Sequence, residues 1–186
     1  GGQTYTFDHT APSVTSVAVP AAGTYRIGQT LDFTVDFGET VYVDTTNGTP
    51  SITLTLDTGG VVQAAYVSGT ESSALTFSYT VVAGNADFNG IQVGSTISLN
   101  GGSIRDAIGN DAQAALNSVG STTGVLVDGL PPSVVSIERI ADALTNATSV
   151  SFKVTFSEAV TPGSPGDFTL TTDGVSGRID SITGSG

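Results

Sequence analysis

The chain states its opening motif twice. Asp8-His9-Thr10-Ala11-Pro12-Ser13-Val14-Thr15-Ser16-Val17 returns as Asp128-Gly129-Leu130-Pro131-Pro132-Ser133-Val134-Val135-Ser136-Ile137. Each copy leads into an alternating run that ends on an acid. Phe33, Val35, Phe37 and Glu39 match Phe152, Val154, Phe156 and Glu158 in type and order. A period of about 120 residues is too long for a solenoid unit and fits a whole β-sandwich domain. The expectation is an all-β section of a tandem array. Residues 1–8 read as the last strand of a preceding repeat, 9–128 as one complete repeat, and 129–186 as the start of a second, truncated one.

Glycine, proline and Asn/Asp punctuation divides the first repeat into short alternating segments, with no sustained helical period. The segments fall near 13–19, 30–37, 40–44 with 51–57, 61–67, 74–82, 92–99 with 102–105, and 113–127. Seven or more antiparallel strands in that length is an immunoglobulin-like count, so the predicted fold is a series of immunoglobulin-like antiparallel β-sandwiches. The inward positions of the alternation predict a core containing Val17, Phe33, Val35, Phe37, Leu54, Leu75, Phe77, Ile97, Leu99 and Leu126. In the second repeat the same pattern predicts two strands, with a third near Phe168–Thr171.

Charge narrows the partners. Acids outnumber bases 17 to 5, giving a net charge of −12. Such a surface repels nucleic acid and anionic lipid, and no apolar run is long enough to span a bilayer. Carboxylate oxygens are the ligands that hard cations such as Ca2+ select. There is no cysteine, hence no disulfide staple and no thiolate chemistry. Bound ions are then the expected staple of a small domain, because a ligand that binds only the folded state stabilises it.

Strand parity gathers particular acids at the two ends of the repeat. Counting strands up and down brings the linker residue Asp8, Glu39 and the loop Asp106-Ala107-Ile108-Gly109-Asn110-Asp111 to one end. That predicts a calcium site of Asp8, Glu39 and Asp106, with Asn110 and Asp111 beside it. Replacing Asp106 with Ala is then expected to weaken calcium binding while leaving the stability of the chelated protein almost unchanged. The alternative for Asp106 is a turn cap, with Gly109 at positive φ. Repeat symmetry puts Asp128 in the place of Asp8 and Glu158 in the place of Glu39. A second site is therefore expected at the junction, completed by Asp87, and an ion shared there is expected to straighten the junction. Asp32 and Asp36 read as the solvated face of a half-buried strand.

Enzyme chemistry finds little support. His9 is the only histidine and lies in a linker, and no serine has a nucleophile-elbow context. Paired acids could serve glycoside hydrolysis, but there is no Trp for a sugar platform. Phosphate-loop and zinc patterns are missing. The chain is expected not to be an enzyme.

Two stretches carry a family resemblance. Val81-Val82-Ala83-Gly84-Asn85-Ala86-Asp87-Phe88-Asn89-Gly90-Ile91 and Ile97-Ser98-Leu99-Asn100-Gly101-Gly102-Ser103-Ile104-Arg105-Asp106-Ala107-Ile108-Gly109-Asn110-Asp111-Ala112 resemble the bacterial Ig-like repeats of giant secreted surface proteins, RTX-type adhesins among them. Phe156-Ser157-Glu158-Ala159-Val160 with Asp167-Phe168-Thr169-Leu170 resembles a sister subtype. The resemblance implies spacer modules in series, export to the outside of a Gram-negative cell, and calcium between domains. Its partners are neighbouring repeats of the same polypeptide, or like chains in a surface array. The RTX nonapeptide is not present, since Gly101-Gly102-Ser103-Ile104 does not continue it. Two other functions compete with the extender. One is a carbohydrate- or protein-binding module, which needs an exposed aromatic cluster where Tyr25, Tyr42, Tyr66 and Tyr79 are scattered. The other is a filament subunit that polymerises by strand exchange.

Overall fold

A computed structural model describes residues 7–140, 146–161 and 163–184. These residues are nearly all β. The strands in chain order are β1 (Val14–Ala18), β2 (Gly23–Arg26), β3 (Thr30–Asp44), β4 (Ser51–Thr55), β5 (Val61–Ser68), β6 (Ser72–Thr80), β7 (Ala86–Asp87), β8 (Gln92–Ser98), β9 (Ser103–Arg105), β10 (Val125–Asp128), β11 (Val134–Arg139) and β12 (Phe152–Phe156). The one helical element among the described residues is a 3-10 turn, Pro165–Asp167, and no helix is long and apolar enough to cross a membrane. The chain divides into two compact units, the first ending at Leu130 and the second beginning at Pro131. Most of the strand expected over residues 1–8 lies outside the described residues.

β3 organises the first unit. Its alternation puts Leu31, Phe33, Val35 and Phe37 inside. Asp32 and Asp36 face outward, where hydroxyls of Thr30, Ser78 and Ser16 donate to them. β3 pairs antiparallel with β1 on one side and β6 on the other, and the sheet continues through β5 and β4 to β8. A smaller sheet, β2–β10–β7, contributes Val125 and Val127 to the same apolar cluster as Phe33, Phe77, Ile52 and Leu54. Full burial of each such side chain is worth about 1.5–3 kcal/mol relative to exposure.

Three details differ from the sequence reading. First, segments 30–37 and 40–44 are one strand. Asp36 faces Ala74 and Val41 faces Ser72, so β3 carries extra residues at Gly38-Glu39-Thr40. Beyond this bulge the strand swings away, and Tyr42–Asp44 pair with β9 instead of β6. Glu39 therefore sits on a bulge, not at a strand end.

Second, not all pairing is antiparallel. The chain leaves the first sheet after Ala18, and Pro20, with no N–H to give a ladder, lies in the crossing. β2 then runs parallel to β10, from Val125 opposite Gly23 to Asp128 opposite Arg26.

Third, Leu126 is only half-buried, while its neighbours Val125 and Val127 are inside. The approach to β10 is irregular: Ser118 takes φ 49° and Val125 N–H closes a turn on the Thr122 carbonyl. Such a path resets the alternation, so the phase of β10 cannot be counted from upstream. Leu99 packs on the core rim, and the other eight expected core residues are buried.

The second unit holds β11 and β12 as an antiparallel pair. Its register repeats that of β1 and β3 position by position. Val14 faces Phe37 as Val134 faces Phe156, and Val17 faces Val35 as Ile137 faces Val154, with the same irregularity after the first pair. Gly38 N–H donates to the Ser13 carbonyl, as Ser157 N–H donates to that of Ser133. Phe168–Thr171 form no strand; the Pro165–Asp167 turn, capped by Ser164 and Asp167, precedes them.

The phase of β10 is open to a direct check. Phe33→Ala is expected to cost about 3–5 kcal/mol. Leu126→Ala is expected to cost less than Val127→Ala although it removes more carbon. Urea midpoints of the three variants measure this, and the reverse order for Leu126 and Val127 would contradict the packing.

Candidate metal centre

Three elements deliver one carboxylate each to the same place. Asp8 lies on the segment entering the first unit, Glu39 on the bulge of β3, and Asp106 directly after β9. One oxygen from each lies within 4.8 Å of the other two, with Asp8 exposed, Glu39 half-buried and Asp106 buried. Among the described residues this is the one group of three or more acidic or imidazole side chains so placed.

The pairings of β3 explain the convergence. Its bulge turns Glu39 out of the main ladder, while the strand beyond it pairs with β9. β9 ends at Arg105, so Asp106 emerges beside the bulge. The Ser68–Ser72 turn sits at the same end: Glu71 N–H donates to the Val41 carbonyl, and Val43 N–H to the Thr70 hydroxyl. Gly69 is required in that turn, since its φ is +107° and a Cβ would lie 2.1 Å from the Ala74 carbonyl oxygen.

Asp106 is also the keystone of its own loop. Its Oδ1 accepts Ile108 N–H (3.0 Å) and Asn110 N–H (2.8 Å), and its Oδ2 accepts the Asn110 side-chain amide at 2.7 Å. Gly109 closes the turn at φ +98°. Burial raises the carboxyl pKa, but the hydrogen bonds donated by Asn110, Ile108 and Gly109 outweigh it and hold the group below its ordinary 3.8. Asp106 is thus a turn cap and a member of the acidic cluster at once. Its replacement should destabilise the chelated protein too, contrary to the sequence expectation.

The other sequence-predicted residues take different places. Asn110 points its amide nitrogen at Asp106 Oδ2 and at the Asp8 and Thr10 carbonyls (3.3 Å each). It laces the entering segment to the loop as a donor, and offers no oxygen to the cluster through that nitrogen. Asp111 is paired with Arg105 at 2.6 Å. Asp87 is buried, and its Oδ1 caps its own turn by accepting Gly90 N–H (2.7 Å) and Asn89 N–H (3.3 Å). Asp128 lies on β10 opposite Ala86, one residue from the Val127–Asp87 pair. Glu158 belongs to the second unit and follows β12 as Glu39 follows Phe37. Thr10 N–H donates to Asp8 Oδ1, whereas Glu39's carboxylate accepts no hydrogen bond among the described residues.

The donor set and spacing suit one hard cation. Calcium holds oxygens at about 2.3–2.6 Å, so two ligands across one ion stand about 4.6–5.2 Å apart. Three oxygens, one from each residue and all within 4.8 Å of one another, fit round such an ion. The ion pairs among the described residues are Arg105–Asp111 and Arg178–Asp180, and neither includes a member of the cluster. An open concavity adjoins it, lined by Tyr42, Asp44, Arg105 and Ile108. The sequence reading did not single out that concavity, because it arises from the β3–β9 pairing.

Comparison with protein families, with curated proteins and with solved structures finds no match to this chain.

The lowered pKa of Asp106 sets the sign of an acid effect. Its folded value lies below the unfolded one, so its contribution is complete above about pH 4 and is lost as pH falls through the folded value. With chelator present, Asp106→Asn should lower the thermal midpoint at pH 7, and the gap from the parent should narrow on acidification below 3.8. A gap that stays constant down to pH 2 would mean that the carboxylate's charge contributes nothing.

Proposed function

We propose that the chain is a structural extender: immunoglobulin-like β-sandwich repeats in tandem from a large secreted bacterial surface protein, stiffened by calcium. The observation that carries the reading is the convergence of Asp8, Glu39 and Asp106 from three separate elements. One of them is the segment that enters the unit. An ion held there ties that segment to the β3 bulge and to the β9 loop, both anchored in the core sheet. Free rotation at the entry is replaced by a fixed entry direction, which is what a spacer needs.

Other features support the same reading. The β1–β3 and β11–β12 pairs share one register, as repeats of a single module do. An edge segment split between two sheets, β1 on one and β2 on the other, suits a sandwich. The work of such a module is mechanical, and it needs no catalytic group. For the ligand-binding alternative, the four tyrosines among the described residues do not gather into an aromatic platform. The Tyr25 hydroxyl donates to the Ala21 carbonyl, that of Tyr66 accepts Thr70 N–H, and that of Tyr79 donates to Asn85. Tyr42 alone of these four is exposed.

Glu39 gives the clean test, since its carboxylate accepts no hydrogen bond among the described residues. Calcium at 100 times its Kd should stabilise the first unit by about 2.7 kcal/mol, a rise of several degrees in the thermal midpoint. Chelator should remove the rise. Glu39→Gln should abolish most of it without lowering the chelated midpoint, which should rise slightly as one of three mutually repelling charges is removed. An equal midpoint with calcium and with chelator would end the ion-staple mechanism.

A further inference from the structure

The first unit carries three Asn-Gly steps, Asn47-Gly48, Asn89-Gly90 and Asn100-Gly101. Such steps are chemically labile, because glycine has no side chain to keep its amide nitrogen away from the preceding carboxamide. The fold treats the three differently. At Asn89 both reacting groups are held: the side-chain amide donates to Asp57 at 2.6 Å, and Gly90 N–H donates to Asp87 Oδ1 at 2.7 Å. At Asn100 the carboxamide is fixed at both ends. Its nitrogen donates to the Thr49 carbonyl (2.8 Å) and the Ser51 hydroxyl (2.9 Å), and its oxygen accepts from the Ser98 hydroxyl at 2.7 Å. Asn47 has no such restraint. It is exposed, its carboxamide makes no hydrogen bond among the described residues, and Gly48 N–H is engaged only by the Thr45 carbonyl at 3.2 Å.

We propose that Asn47-Gly48 is a site of spontaneous covalent modification: deamidation through a succinimide, with isoaspartate among the products. The Gly48 nitrogen attacks Asn47 Cγ. The new N–Cγ bond forms as Cγ–Nδ2 breaks, and Nδ2 leaves as ammonia with the proton that Gly48 gives up. Water, the one co-reactant, then opens the ring. Attack at Cγ yields Asp, and attack at the main-chain carbonyl yields isoaspartate, which routes the backbone through Cγ. The place gives the change its effect. A Cβ on Gly48 would stand 1.8 Å from the Asn100 carbonyl oxygen, and one on Gly101 2.6 Å from that of Asn47, so the two turns meet backbone to backbone. The isoaspartyl link adds a methylene to the main chain and turns the Asn47 carbonyl into a free carboxylate at this contact. One of these turns joins β3 to β4 and the other joins β8 to β9. The modification therefore loosens β9, whose pairing with β3 begins close by at Asp44 and Ser103. The proposal is independent of the metal reading, since none of the three clustered acids takes part.

Peptide mapping by mass spectrometry, on the whole chain aged at mildly alkaline pH, tests the site. Asn47 should convert at least about tenfold faster than Asn89 or Asn100, the factor that one good hydrogen bond to be broken first is worth. In urea the three rates should be alike. Equal rates in the folded chain, a lead for Asn89 or Asn100, or the same lead for Asn47 in urea would each overturn the proposal. Amide exchange tests the consequence: after ageing, the amides of Ser103–Arg105 should exchange faster and those of β6 should not change. Asn47→Gln, whose longer side chain closes the ring far more slowly, should age without that loss. Unaltered β9 amides in chains fully converted at Asn47 would overturn the loosening of β9.

Discussion

The alternation of β3 is the constraint on which the first unit depends. Four consecutive inward positions, Leu31, Phe33, Val35 and Phe37, are buried against residues from both sheets. A strand with period-two alternation has one register that hides all four, and a slip of one residue would expose them together while burying Asp32 and Asp36. The same strand then fixes the end of the unit. The bulge at Gly38-Glu39-Thr40 breaks the pairing with β6 and hands Tyr42–Asp44 to β9. Core packing and site geometry are thus two consequences of one piece of backbone.

The acidic cluster shows how a turn cap and a member of a carboxylate group coincide in one residue. Asp106 is locked by hydrogen bonds from its own loop, which hold its carboxyl ionised. Asn110 carries that order to the entering segment by donating to the Asp8 and Thr10 carbonyls. Like charges brought this close repel in the absence of a counter-ion. The loop's donors hold Asp106 and the entering segment that carries Asp8, whereas Glu39 is placed by the β3 bulge. Under the proposed reading, an arrangement already in place would not have to be assembled when an ion arrives.

The second unit makes the complementary point. The β11–β12 pair has the sequence pattern, the register and even the irregularity of β1–β3. Yet its valines, isoleucine and phenylalanine stay in contact with water. Local pairing is set by neighbouring residues on two strands, whereas burial needs a third and a fourth element on the far side. A strand pair therefore specifies its own geometry without securing its own stability.

The all-β class, the inward sets of β1, β3, β4 and β6, and the company of Asp8, Glu39 and Asp106 were legible in the sequence. Each follows from a local period or from counting strands up and down. The repeat also marked the segments that form β11 and β12, since equal patterns pair equally. Other features lay beyond a linear reading. The joining of 30–37 to 40–44, the parallel β2–β10 pair and the phase of β10 depend on which distant strand accepts each N–H. The roles of Asn110, Asp111 and Asp87 likewise follow from the nearest donor or acceptor in space: the Asp8 carbonyl, Arg105 and the Gly90 N–H. Side-chain type and spacing decide which face a residue takes. Only the folded backbone decides which partner it meets, because hydrogen bonds and ion pairs are short-ranged and are satisfied by whatever tertiary packing brings within about 3 Å.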